Sequence, residues 1–199
     1  MHSTRKYLVA LFALVHCWGC SIWWIPQVDD LRVASVQRVD MKNETIFNPR
    51  NSPMAVPIGQ MLKVQFTTVY DLALISLEHD LNLWNEVTFC DSGANMSGSP
   101  AVYYHDIHVS QLQENSPEHS RYIRYREKEA DKPYVYHLYV RYRSDQARSL
   151  TDNYRISVYD LSGEPQDICI VIRGGNMLGG TLRTNTITIT KDKIREALR

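Results

Sequence analysis

What the sequence has little of narrows the field first. Net charge is missing: 22 lysines and arginines face 22 aspartates and glutamates. A protein that neutralises a phosphate backbone needs a basic face, so this balance argues against nucleic acid. A long apolar run is missing as well. A spanning helix takes about 20 apolar residues in a row, whereas the run from Tyr7 to Val15 is far shorter and His16 interrupts it. Catalytic signatures are absent: there is no Gly-x-Ser-x-Gly elbow, Walker loop, His-Glu-x-x-His pair or EF-hand loop. There is no internal repeat and no linker that would split the chain. Cysteines number only four, and the Cys17-x-x-Cys20 pair has no second such pair to complete a zinc site.

What is present begins at the N-terminus. Arg5 and Lys6 form a positive n-region, Tyr7 to Val15 a short apolar h-region, and the small Gly19 precedes Cys20. This is the pattern of a secretory signal over residues 1–19. The Gly-Cys ending resembles the lipobox of bacterial lipoproteins. That resemblance implies cleavage before Cys20, acylation of Cys20, and, with Ser21 rather than Asp following, sorting to the outer membrane. The chain departs from the family pattern, since Cys17 and Trp18 stand where a leucine and a small residue are usual. Cys17 is the competing site, favoured by Leu14 and Val15 and disfavoured by His16. An ordinary secreted protein and a retained membrane anchor are the other readings. Residues 20–30, with Trp23 and Trp24, read as a tether whose tryptophans sit either at the membrane interface or on the domain. Two sequons, at Asn43 and Asn95, would matter only in a eukaryotic secretory chain.

Removing residues 1–19 leaves 20 basic against 22 acidic residues and enough chain for one domain with a real core. Cys90 and Cys169 then remain as an even pair in an exported chain, and the expectation is a disulfide.

Strand signals recur along the domain, 31–199. "LRVASVQRV" and "QMLKVQFTTV" alternate, and "EVTFC" is β-branched and aromatic. "LALISLEHDLNLWNE" suits a helix or a strand. Ten of the twelve tyrosines lie between Tyr103 and Tyr159, in "AVYYHDIHVSQL", "YIRYREKE", "YVYHLYVRYRS" and "DNYRISVYDLSG", all expected as strands. "DICIVIRGG" reads as a central strand, "GGNMLGG" as a hairpin turn, "TNTITIT" as a strand, and "KDKIREALR" as a short closing helix with Ile194 and Leu198 on one side. About eight short strands with turn signals between them describe an all-β, immunoglobulin-like sandwich.

No converging catalytic set, metal set or cofactor motif emerges. His105, Asp106 and His108 lie close in sequence, but residues three apart on a strand point to opposite faces. The expected activity is therefore binding. In "YVYHLYVRYRS", Leu138, Val140 and Tyr142 are expected on one face and Tyr139, Arg141 and Arg143 on the other, and tyrosine and arginine are enriched at recognition hot spots. Tyr139 and Arg141 are candidate contact residues. Asn176, Met177 and Leu178, at the tip of the glycine-framed loop, are the others.

A lipobox-like "WGC", one all-β domain and the strand-plus-loop "DICIVIRGGNMLGG" resemble, in general plan, the type VI secretion immunity lipoproteins of the bacterial periplasm. The resemblance implies a non-enzymatic, outer-membrane-anchored protein facing the periplasm, whose partner is a toxin effector. It carries no functional residue beyond Cys20. A structural or assembly lipoprotein of an envelope machine shares the same plan.

Overall fold

The computed structural model describes residues 25–46, 59–96, 101–144, 148–151, 154–156 and 158–199. The expected signal, with Cys17, Cys20, Trp23 and Trp24, lies outside these residues.

Among the described residues, thirteen strands and three α-helices follow in order: β1 (Arg32–Asp40), β2 (Gln60–Thr68), α1 (Leu72–Glu78), β3 (Asn82–Phe89), β4 (Tyr103–Tyr104), β5 (Ile107–His108), α2 (Pro117–Lys128), β6 (Tyr134–Val140), β7 (Arg143–Ser144), β8 (Arg148–Thr151), β9 (Tyr154–Ile156), β10 (Tyr159–Asp160), β11 (Ile168–Gly175), β12 (Thr181–Arg183), β13 (Ile187–Ile189) and α3 (Lys191–Leu198). The larger sheet has the order β1-β2-β6-β4-β5. In the second, β11 is central: β3 pairs with its whole length on one side, β12 and β13 with its two ends on the other. Two small ribbons, β7 with β10 and β8 with β9, complete the pairing. The chain is mostly β, with open sheets, as its alternating runs led one to expect.

Alternation explains how the sheets bury one face. Leu62, Val64 and Phe66 of β2, Val87 and Phe89 of β3, and Ile168, Ile170 and Ile172 of β11 point into one shared apolar cluster. Tyr136, Leu138 and Val140 of β6 enter the same cluster. Full burial of an aliphatic or aromatic side chain of this size stabilises by about 1.5–3 kcal/mol. The larger sheet is covered on its other face too. There Met41, Met61, Ala101, Tyr103 and Tyr139 form a second, smaller cluster.

Two expectations are corrected. "SRYIRYREKE" is not a strand but the body of α2. Ser116 caps it, accepting a hydrogen bond from the His119 amide at 3.0 Å, and Pro117 occupies the first turn, where a missing N–H costs nothing. Residues 25–30, expected as tether, belong to the packed body. Val28 is fully buried and bridges Thr184 in the parallel sense, and Asn185 clamps Leu31 through both its side-chain amide groups, at 3.0 and 3.1 Å. The ambiguous "LALISLEHDLNLWNE" divides into α1 and β3.

Cys90 and Cys169 are bonded, with Cα atoms 5.1 Å apart. The register brings them together: Cys169 lies opposite Thr88 in the β3–β11 pair, and the Cys90 amide donates to the Asp167 carbonyl at 3.0 Å. The bond joins neighbouring strands of one sheet.

Candidate functional site

The second face of the larger sheet holds a polar cleft of about 450 Å³. Its floor is built by register. β2 and β6 pair so that Lys63 lies opposite Tyr139, Gln65 opposite His137 and Thr67 opposite Val135. Lys63, Gln65, Val135 and His137 line the floor, and residues 43–45 form one wall.

His137 is the centre of a hydrogen-bonded chain. The Tyr139 hydroxyl donates to Glu44 Oε2 at 2.7 Å and stands 3.2 Å from His137 Nε2. Lys63 Nζ reaches the same carboxylate oxygen at 2.6 Å. A hydroxyl has one proton, here given to Glu44, so its oxygen accepts from an Nε2–H tautomer of His137. Burial, with the Lys63 cation adding to it, pulls the His137 pKa down to about 3. The ring is therefore neutral at pH 7. Burial pushes the Glu44 carboxyl up, but the hydrogen bonds from Lys63 and Tyr139 outweigh it and hold the group below its ordinary value. Burial and donation to a carboxylate raise the Tyr139 hydroxyl well above the usual phenol range. Tyr103 stacks on His137 with ring centres 5.5 Å apart, closing the layer beneath.

The opposite wall comes from the β4–β5 hairpin and α2. His105 turns the hairpin in the left-handed backbone region, φ +51°. Asp106, next in line, is nearly buried and takes Arg121 Nη2 at 2.8 Å and the Tyr125 hydroxyl at 3.0 Å. Arg121 Nε also donates to the Tyr125 hydroxyl at 3.2 Å. Arg121 and Tyr125 sit four residues apart on α2, one turn of helix, so both reach the hairpin. His105 stacks on Tyr125 at 4.3 Å and pairs with Glu129 at 3.1 Å. Glu129 also accepts from the Tyr104 hydroxyl at 2.8 Å.

The cleft thus presents two cations and two carboxylates, each already matched and each held by a second contact. Its aromatic walls are fixed by stacking. Such an array suits recognition of a polar or charged group, because little ordering entropy is left to lose on binding. His137 spends its Nε2 on a tyrosine, and among the described residues no group of three or more His, Cys, Asp and Glu is placed to hold a metal ion.

The residues singled out from sequence fall in three places. Tyr139 is fully buried, with no surface to offer a partner. The alternation was read correctly, with Leu138 and Val140 in the core, but the face opposite is a second packed layer rather than solvent. Tyr139 supports the cleft from beneath, its hydroxyl meeting the lining residues Glu44 and His137. Arg141 is exposed just beyond β6, its carbonyl accepting from the Tyr159 hydroxyl at 2.9 Å, and does not line the cleft. Met177 and Leu178 stand at the β11–β12 tip, 101% and 69% exposed. Asn176 does not present itself there. Its side chain is a strut, donating to the His79 carbonyl at 2.8 Å and accepting from the Leu178 and Gly180 amides at 3.1 and 2.8 Å. His105, Asp106 and His108 do not converge: His108 is buried against Tyr103, away from the cleft lining.

Sequence reasoning missed Lys63, Glu44, His137, Arg121 and Tyr125. One signal was available. In "YVYHLYV" a lone histidine interrupts an otherwise apolar and aromatic strand, and a buried imidazole needs partners. Neither a family model, nor a curated protein, nor a solved structure matches the chain.

Proposed function

We propose that the chain is a lipid-anchored binding protein of the bacterial outer membrane, facing the periplasm, and that it acts without catalysis as an immunity protein against a toxin delivered by type VI secretion. The observation that carries the binding reading is the cleft between β2, β6 and α2, whose charges and rings are pre-set before any partner arrives. The Cys90–Cys169 bond supports the compartment, since such bonds persist where the environment is oxidising. Acylation of Cys20 supplies the anchor in this reading. The scaffold is an immunoglobulin-like sandwich of two antiparallel layers sharing one apolar cluster, distinct from antibody domains in that its disulfide lies within one layer.

In this reading a polar side chain of the toxin enters the cleft, and Arg141 belongs to the rim beyond it. Val135 is the residue to test, being 40% exposed on the cleft floor. Val135→Trp fills the cleft from an exposed position and should leave the fold intact. The reading expects a toxin gene beside that of the chain; cells carrying the wild-type chain should survive that toxin, and cells carrying Val135→Trp should not. Equal survival with a normally folded variant would remove the cleft from the interface. Survival of cells that lack the chain altogether would remove the immunity reading. Cys20→Ser should release the chain from membranes. A Cys20→Ser chain that still carries acyl groups would refute the anchor.

A further inference from the structure

We propose that the Met177–Leu178 tip docks on the lipid surface to which the chain is anchored, an inference that rests on the anchored reading above. Two adjacent apolar side chains, 101% and 69% exposed, project from a turn that needs neither for the core. Apolar side chains of this size are mostly inside, and contiguous exposed apolar surface is where contacts are sought.

Three amides of the turn are paired within it. Water-poor surroundings punish unpaired backbone groups, each by several kcal/mol in lipid. Here the Leu178 and Gly180 amides are taken by Asn176 Oδ1, and the Gly179 amide donates to the Asn176 carbonyl at 3.2 Å. Gly179 makes this possible with φ +87°. Asn176 Nδ2 ties the whole turn to the α1–β3 connection through the His79 carbonyl. Met177 and Leu178 are therefore held out on a stiff base.

The direction of the incoming chain selects lipid over protein as the occupant. Residues 25–31 run beside residues 180–185 in the same sense, fixed by the Val28–Thr184 bridge and the Asn185 clamp. Ile25 consequently lies at the tip end: a methyl group added to Gly180 would stand 3.0 Å from Ile25 Cδ1. Cys20 is five residues before Ile25. At about 3.3–3.6 Å per residue, that chain spans at most roughly 17 Å. An acylated Cys20 thus keeps this end of the domain near the bilayer, with the apolar tip beside it. Asp80, exposed next to His79, sets a carboxylate close by, so docking uses apolar contact with the headgroup region rather than attraction to anionic lipid.

The test uses the full chain reconstituted in phosphatidylcholine vesicles. Met177→Cys carries a nitroxide, and Glu164→Cys carries the same label as reference. Glu164 is exposed before the start of β11, roughly 25 Å from the tip along that strand at about 3.3 Å per residue. The native Cys90 and Cys169 are bonded to each other and take no label. The ratio of relaxation by lipid-soluble oxygen to relaxation by a water-soluble nickel chelate should be severalfold higher at 177 than at 164. The mass of the N-terminal peptide, read on the same preparation, reports acylation of Cys20 separately. An acylated chain whose 177 label is as chelate-accessible as 164 overturns the docking and leaves the anchor standing. An unacylated chain overturns the anchor and, with it, the docking that rests on it. Protection of the 177 label by a lipid-free periplasmic extract would mean that a protein covers the tip, and would overturn the proposal.

Discussion

His137 and His108 are the residues whose chemistry departs furthest from that of the free side chain. Both are nearly buried, and burial pulls their pKa values down from 6.5 to about 3 and about 4. A depressed folded pKa means that the unfolded chain takes the proton first. The stabilising contribution is therefore whole above pH 6.5 and is lost as pH falls, until the folded rings themselves protonate near pH 3 to 4. Between pH 6.5 and 4.5, ahead of most carboxylates, each histidine should steepen the loss by about 1.4 kcal/mol per pH unit. Urea midpoints across that window should fall in the wild type and be nearly level in a His108→Leu/His137→Gln variant, whose glutamine keeps a donor for Tyr139. A wild-type midpoint that does not move would show that the imidazoles titrate normally. The interior side of Tyr139 was equally hard to read from sequence. Period-two alternation tells which residues share a face, not whether the second face meets water or another layer.

At the scale of single elements, α2 is the instructive one, because the strand reading of "YIRYREKE" rested on tyrosine and isoleucine interleaved with polar residues. The start signals were present and outweigh it: Ser116 as cap, Pro117 in the first turn, Glu118 behind it, and Arg126 and Lys128 in the last turn. The helix turns Arg121 and Tyr125 toward Asp106 while Tyr122 goes inward to donate to Asp71. Removing the cap should loosen this wall. Ser116→Ala should cost about 1 kcal/mol, and Ser116→Asp, whose carboxylate accepts from the same amide, should cost little. Urea unfolding of the two variants makes the comparison. Equal losses would mean that the hydroxyl does something other than cap the helix. The terminal helix α3 and the β11–β12 turn, by contrast, were legible directly, since their apolar spacing and glycines allow few other structures.

Across the whole molecule, the sequence revealed the class of fold because apolar alternation survives averaging over many short strands. It concealed the cleft because that site exists only after distant pieces meet. Glu44, Lys63, Asp106, Arg121 and His137 come from five separate stretches, and no spacing rule connects them. The two cysteines were the exception, their pairing following from number and compartment alone. Their bond closes a separation of 79 residues. For a loop of that size, loop-closure entropy corresponds to about 4 kcal/mol, a large part of a usual total of about 5–15 kcal/mol. Urea unfolding with and without a reducing agent should therefore show a large drop in midpoint for the reduced protein. The Cys90→Ser/Cys169→Ser variant should behave like the reduced form. If reduction shifts nothing, the denatured chain is not restrained by the bond in the way the loop length implies.

The clamp of Asn185 on Leu31, reaching across 154 positions, also governs when the molecule can close. A chain leaving the ribosome in order from its start delivers residue 31 early and residue 185 late. Until the later segment emerges, Val28 and Leu31 lack the Thr184 and Asn185 partners that hold them in the finished body. The domain therefore cannot complete itself while its end is still inside the ribosome. Contacts this far apart also fold slowly. The same hydrogen bonds that fix the finished body therefore delay its closing until the last strands have been made.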